Sequence, residues 1–230
     1  MSYTKRIGAA LAPKVTEIAP NLSAAFVHQA LIRAISGVGP LPGAAAAADK
    51  QLAQNDGDVE RAIHDVIENH VRYAGIQGFA TNLGGLVTMA VTVPANITGL
   101  ALIQCRMVAG IVHLRGYDLA EPRVRAAILA SLLGEERVLK LVKARDLPGT
   151  PMEVAGDPLH EAALDTVIAN EVASELITRA AGKRLATTVG RRVPVVGGVV
   201  GAGTDAYVTW KIGRYVDREF LPGTGRRRRT

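Results

Sequence analysis

Apolar side chains recur along this chain at helical spacing. Val27, Leu31, Ala34, Ile35 and Val38 fall at i, i+4, i+7, i+8 and i+11, one face of a helix whose cap is expected at Asn21. Gly37, Gly39, Pro40, Pro42 and Gly43 end it, and Ala44 to Gln54 reads as a short Ala-rich helix stopped by "NDGD" at 55–58. Asp58 is placed to cap the next helix, the most plainly amphipathic in the chain. Val59, Ala62, Ile63, Val66 and Ile67 share one of its faces, while Glu60, Arg61, His64, Asp65, Glu68 and Arg72 surround the other. No stretch shows the period of two that a half-buried strand needs, and no segment repeats at a fixed period.

The character changes after Arg72, because residues 73–105 carry no charged side chain. Gln77, Thr81, Gly84, Gly85, Thr88 and Thr92 form a small or polar stripe there, and Pro94 predicts a break between two apolar helices, about 75–92 and 95–115, that end in "RGYD" at 115–118. Pro122 suits the first turn of a helix to about Leu133, and Gly134 divides it from another to about Arg145. "DLPGTPMEVAGDP" at 146–158 reads as a linker or long surface loop, and Leu164, Ile168, Val172 and Leu176 make the ridge of a helix ending near Gly182. In "VPVVGGVVGAGTDAYVTWKIGRYVDREF" at 193–220, Gly197, Gly201, Asp205, Thr209 and Gly213 stand four apart, one small stripe if Val195 to Glu219 is a helix. Each interior Gly costs about 1 kcal/mol relative to Ala. Such a stripe therefore calls for a close helix contact in return. The pattern predicts an all-α, compact multi-helix domain with a central apolar helical hairpin and a Gly-rich C-terminal helix.

Asp205 within that stripe stands where water is scarce, and a buried carboxylate needs a partner. Arg106, the first charge after the uncharged run, is the natural cation; a solvated groove or backbone donors would serve Asp205 equally well. Other motifs fail on context. "GAGTDA" at 201–206 fits a dinucleotide fingerprint, but only 24 residues follow Ala206 and they read as helix and an Arg tail. "AAGKR" at 180–184 lacks the upstream Gly and the hydroxyl residue of a phosphate-binding loop, and reads as a helix end. "HEAAL" at 160–164 has Leu164 where a zinc site needs its second His. His64 and His70 are six apart and do not project together, so each His reads as a surface or capping residue. The single Cys105, in an apolar run, reads as an inert buried thiol in a reduced compartment. No catalytic residue, cofactor or metal is expected.

Composition sharpens this picture. Of 230 residues 48% are hydrophobic but only 4% aromatic, so the interior must be built from small side chains that let backbones approach closely. Arg226, Arg227, Arg228 and Arg229 supply four of the +6 formal charges, leaving +2 for the rest. That tail, with Arg191 and Arg192, is either a solvated surface or an attraction for anionic lipid, where each basic residue contributes about 1 kcal/mol. The apolar piece after Lys5 and Arg6 is broken by Pro13 and Lys14, which disfavours a secretory leader and places the protein in the cytoplasm or on the inner membrane face. Residues 73–93 reach the about 20 residues that a span requires, yet they include Gln77, Thr81, Asn82, Thr88 and Thr92, so buried helices are favoured over true spans.

The segment "GFATNLGGLVTMAVTVPANITGLALIQCRMVAGIVHLRGYDL" at 78–119, followed by "VGRRVPVVGGVVGAGTDAYVTWKIGRYVDREF" at the C-terminus, resembles the EcsC family from about residue 58 to 220. The resemblance implies a helical, hydrophobic protein with no established reaction. Where the family often carries Asp after the hairpin Pro, this chain has Asn96, which puts any carboxylate role there in doubt. The organisation expected is an N-terminal helical segment (1–57), an EcsC-like helical domain (58–221) and a basic tail (222–230). The function expected is non-enzymatic: association with anionic membrane lipid or an apolar ligand, through a groove with Asp205, Arg106, Asn96, Gln104, Thr88 and Gly201 as candidate residues. A membrane protein or a second copy of the chain is a further candidate partner. An enzyme using Asp205 as acid or base is the alternative of another class, and nucleic-acid binding through the tail, which lacks an aromatic platform, is disfavoured.

Overall fold

Ser23 opens the first described helix, its hydroxyl accepting from the Phe26 amide at 3.4 Å, so the cap lies nearer the apolar face than Asn21, which is outside the described residues. The computed structural model describes residues 23–83, 89–159, 161–189 and 194–222. Among them the chain runs α1 (Ala24–Ser36), β1 (Gly37–Val38), β2 (Leu41–Pro42), α2 (Ala44–Gln54), α3 (Val59–Leu83), α4 (Met89–Leu114), α5 (Pro122–Ser131), α6 (Glu135–Ala144), α7 (Pro151–Gly156), α8 (Ala162–Val189) and α9 (Pro194–Glu219). The two short strands pair antiparallel, Gly37 with Pro42 and Val38 with Leu41. Only Gly fits at 37: its φ is +92°, and a Cβ there would lie 2.5 Å from the Leu41 carbonyl oxygen.

The all-α expectation holds, with boundaries moved in four places. The amphipathic helix and the first hairpin helix are one element, α3, because loss of charge after Arg72 does not interrupt its hydrogen-bond ladder. The break falls at 84–88, outside the described residues, and Pro94 lies inside α4, close enough to its start that few backbone bonds are lost. The 146–158 segment is no linker. It holds α7, where Pro151 follows Thr150, Glu153 accepts from the Thr150 amide at 2.7 Å, and Pro151, Val154 and Ala155 are buried. Gly182 lies within α8, which runs on to Val189. "AAGKR" is therefore mid-helix, and "GAGTDA" lies inside α9, preceded at 194–200 by helix and not by the strand that a dinucleotide turn would need.

The core is centred on α4, whose Cys105, Met107, Val108, Ala109, Ile111 and Val112 are all fully buried. A helix apolar on every side must be surrounded. α1, α2, α3 and α9 all pack on it, while α5 joins α7 and α8. The segment before residue 58 shares this core through Val27, Leu31, Ala44 and Ala48. Close packing through Gly is realised at Gly213, where a Cβ would lie 3.0 Å from two carbons of Ile67 and 3.2 Å from Met107 Sδ.

Candidate functional site

A few long-range contacts fix how α3, α4 and α9 lie together. A Cβ on Gly110 would sit 3.5 Å from Val66, and one on Gly99 would strike the Gln77 amide, so α3 and α4 run antiparallel. Gly213 meets Ile67, and Arg115 bonds both Glu60 and Asp217, so α9 also runs antiparallel to α3. Gln104 Nε2 donates to Thr209 Oγ1 at 3.2 Å, with both side chains buried, which sets α9 parallel to α4.

This register aligns the charge boundaries of the three helices. The last charge of α3 is Arg72, the first of α4 is Arg106, and the first described one of α9 is Asp205. Counted along the contacts above, the three fall within about one helical turn of one level. Beyond that level every described residue of these helices is uncharged. At the level itself stand large exposed side chains: Tyr73 (55%), Ile76 (67%), Tyr207 (59%) and Trp210 (47%). Tyr207 and Trp210 stack at 6.1 Å with Lys211 Nζ over the Tyr207 ring at 5.9 Å.

The sequence-predicted groove resolves into separate places. Asp205 is buried one turn before Thr209, on the side of α9 that faces Gln104. Arg106, two residues and so about 200° round α4 from Gln104, instead lines a small cavity with His70 and Tyr73 of α3 and Gln51 of α2. Burial lowers its pKa from the ordinary arginine value. Thr88, Arg191, Arg192 and Arg226 to Arg229 lie outside the described residues, as do the side chain of Asn96 and the surroundings of Gly201.

His70 is the functional candidate missed from sequence. It is 7% exposed, and its Nδ1–H donates to the Val66 carbonyl at 2.7 Å, which leaves Nε2 buried without a hydrogen-bond partner. Desolvation lowers its pKa to about 4; the Val66 bond opposes this and the Arg106 charge adds to it. The ring is neutral at pH 7. Its position was readable, for residue 70 continues the 59, 62, 63, 66, 67 apolar stripe. Cys105 behaves as expected, its thiol pushed up to about 12 by burial. Among the described residues no group of His, Cys, Asp and Glu is arranged to hold a metal ion.

Two further features frame the site. Arg115, itself buried, makes a paired contact with Glu60 and donates to Asp217 at 2.8 Å, tying the start of α3 to the end of α9. Burial works against its charge, but Glu60 and Asp217 outweigh it and raise the pKa. An open groove of about 760 Å³ between α6, α8 and α9 is edged by Glu136, Lys140, Arg179, Lys211 and Arg218, too charged a lining for an acyl chain. No described helix is long and apolar enough to cross a membrane.

The EcsC protein family matches residues 2–220, beginning well before the motifs that carry the resemblance. No curated protein matches, and no solved structure does.

Proposed function

This chain belongs to the EcsC protein family, and from that premise we propose that it is a non-enzymatic protein that seats the uncharged end of α3, α4 and α9 in one leaflet of an anionic membrane. The observation that carries this reading is the shared level at which the three helices lose their charge, edged by Tyr73, Tyr207 and Trp210. Tyr and Trp suit a boundary of that kind, since each has an apolar body and a polar tip. Arg72, Arg106 and Lys211 stand near it, where basic side chains meet lipid phosphates.

Length supports one leaflet rather than a span. The 11 described residues of α3 beyond Arg72 and the 11 of α9 before Asp205 each rise roughly 16 Å, about half of a hydrocarbon core of about 30 Å. Within each helix the backbone groups bond one another, which such a medium requires.

Co-sedimentation with phosphatidylcholine vesicles, with and without phosphatidylglycerol, tests the reading. The full chain and one lacking residues 226–230 are compared at low and high salt. Both are expected to pellet with the anionic vesicles, high salt releasing only part of each. Folded protein that pellets with neither vesicle at either salt would contradict the proposal.

A further inference from the structure

The small cavity between α2, α3 and α4 is lined by polar side chains that find no partner inside the fold. Arg106 of α4, Asn69 of α3 and Gln51 of α2 are half-buried there and Tyr73 of α3 is exposed, so each keeps surface that a ligand can reach. Among the described residues no carboxylate or hydrogen-bond acceptor meets the Arg106 guanidinium, and the Asn69 and Gln51 side-chain amides are likewise uncommitted. His70 lines the cavity too but has nothing to offer a ligand, because its Nδ1–H goes to the Val66 carbonyl and its Nε2 is buried.

Arg115 gives the contrast. It is also drawn out of water, but Glu60 and Asp217 answer its charge and raise its pKa, whereas burial lowers that of Arg106 with no carboxylate to oppose it. A guanidinium that loses water without gaining a counter-ion is a standing cost, which an anion would remove. The reachable groups suit one, since the guanidinium, both amides and the phenol all donate hydrogen bonds. The cavity holds about 80 Å³, the room of roughly two or three waters, which admits the oxygens of one oxyanion and leaves the rest of its molecule outside.

Place decides which oxyanion. Tyr73 and Arg106 mark the level at which α3 and α4 lose their charge, the level that the membrane reading puts among the headgroups. The anion concentrated at that depth is the lipid phosphate. We propose that Arg106, flanked by Asn69, Gln51 and Tyr73, binds a phosphate diester, that of one lipid headgroup, whose acyl chains lie toward the uncharged ends of α3 and α4. The site depends on the membrane reading for its lipid. A soluble phosphate ester carries the same oxyanion, and the test separates the two sources.

Dihexanoyl phosphatidylglycerol below its micellar concentration, dimethyl phosphate and uncharged octyl glucoside are each titrated into the full chain. The Arg106 Nε–H and the Asn69 and Gln51 side-chain amides are followed by NMR. The short-chain lipid is expected to shift these signals and octyl glucoside to leave them unmoved. A response to the lipid well above that to dimethyl phosphate at equal concentration assigns a headgroup; equal responses keep the oxyanion site and assign a soluble ester. On phosphatidylglycerol vesicles at high salt, where exposed charges are screened, Arg106→Gln should lower affinity about tenfold or more. Arg72→Gln, which removes an exposed charge paired with Glu68, should lower it by no more than about twofold under the same conditions. The ligand titrations stand if Arg106→Gln fails to fold. Signals that answer neither phosphate, equal shifts with octyl glucoside, or equal losses in the two folded variants overturn the site. Vesicle binding that persists while the signals stay silent does so and leaves the membrane reading intact, whereas phosphate-dependent shifts in a chain that binds no vesicle overturn the lipid assignment together with that reading.

Discussion

His70 is held neutral by a fold that gives its second nitrogen no donor, and this makes stability depend on pH in a definite direction. Its folded pKa, about 4, lies below the unfolded value of 6.5, so between those values the unfolded chain binds more protons. The contribution is fully present above about pH 6.5 and is lost as pH falls toward 4. At 1.36 kcal/mol per unit the loss is about 3 kcal/mol. Urea unfolding at pH 7, 6, 5 and 4 should show this decline in the natural chain, and His70→Gln should remove it from that window while leaving the carboxylate titrations. An unchanged slope in the variant would mean that another group drives it. Arg115 lies at the opposite limit of legibility. Its partners Glu60 and Asp217 are 55 and 102 residues away, so "RGYD" read as a turn gave no hint of an ion cluster.

Helix-scale features were legible where local chemistry decides them. Asp58 accepts from the Arg61 amide at 3.1 Å, Ala44 to Gln54 is helical throughout, and Pro122 is the first residue of α5. The misplaced boundaries all come from reading composition as geometry. Loss of charge at Tyr73 changed the environment of α3 but left its backbone ladder intact, and Gly182 inside α8 was not a stop. α7 was hidden by its Pro and Gly content, although Thr150, Pro151 and Glu153 carry a capping-box signature. Glycines at helix contacts separate into two kinds. Gly213→Val must displace Ile67 or Met107 and should cost about 1–3 kcal/mol. Gly110→Ala meets Val66 and Ala48 only at ordinary contact distance, 3.5 and 3.6 Å, and should stabilise by up to about 1 kcal/mol. Chemical denaturation of the pair checks this, and equal effects would show that Gly213 is not a close-packing position.

At the scale of the whole molecule, charge is segregated along the axis of three helices that are far apart in sequence. The uncharged run at 73–105 was plain from the chain, and so was the Gly-rich stretch before Asp205. Their alignment was not, because it rests on long-range contacts such as Gly213 with Ile67 and Gln104 with Thr209. Trp210, the only tryptophan, stands exposed at that level and reports on it directly. Its emission, recorded with anionic vesicles whose lipids carry bromine at shallow or deep acyl positions, is the measurement that bears most directly on the central claim. The account predicts a blue shift on vesicle addition with stronger quenching by the shallow bromines, as for an indole held at the headgroup boundary. Emission unchanged by either lipid, from protein that remains folded, would contradict it.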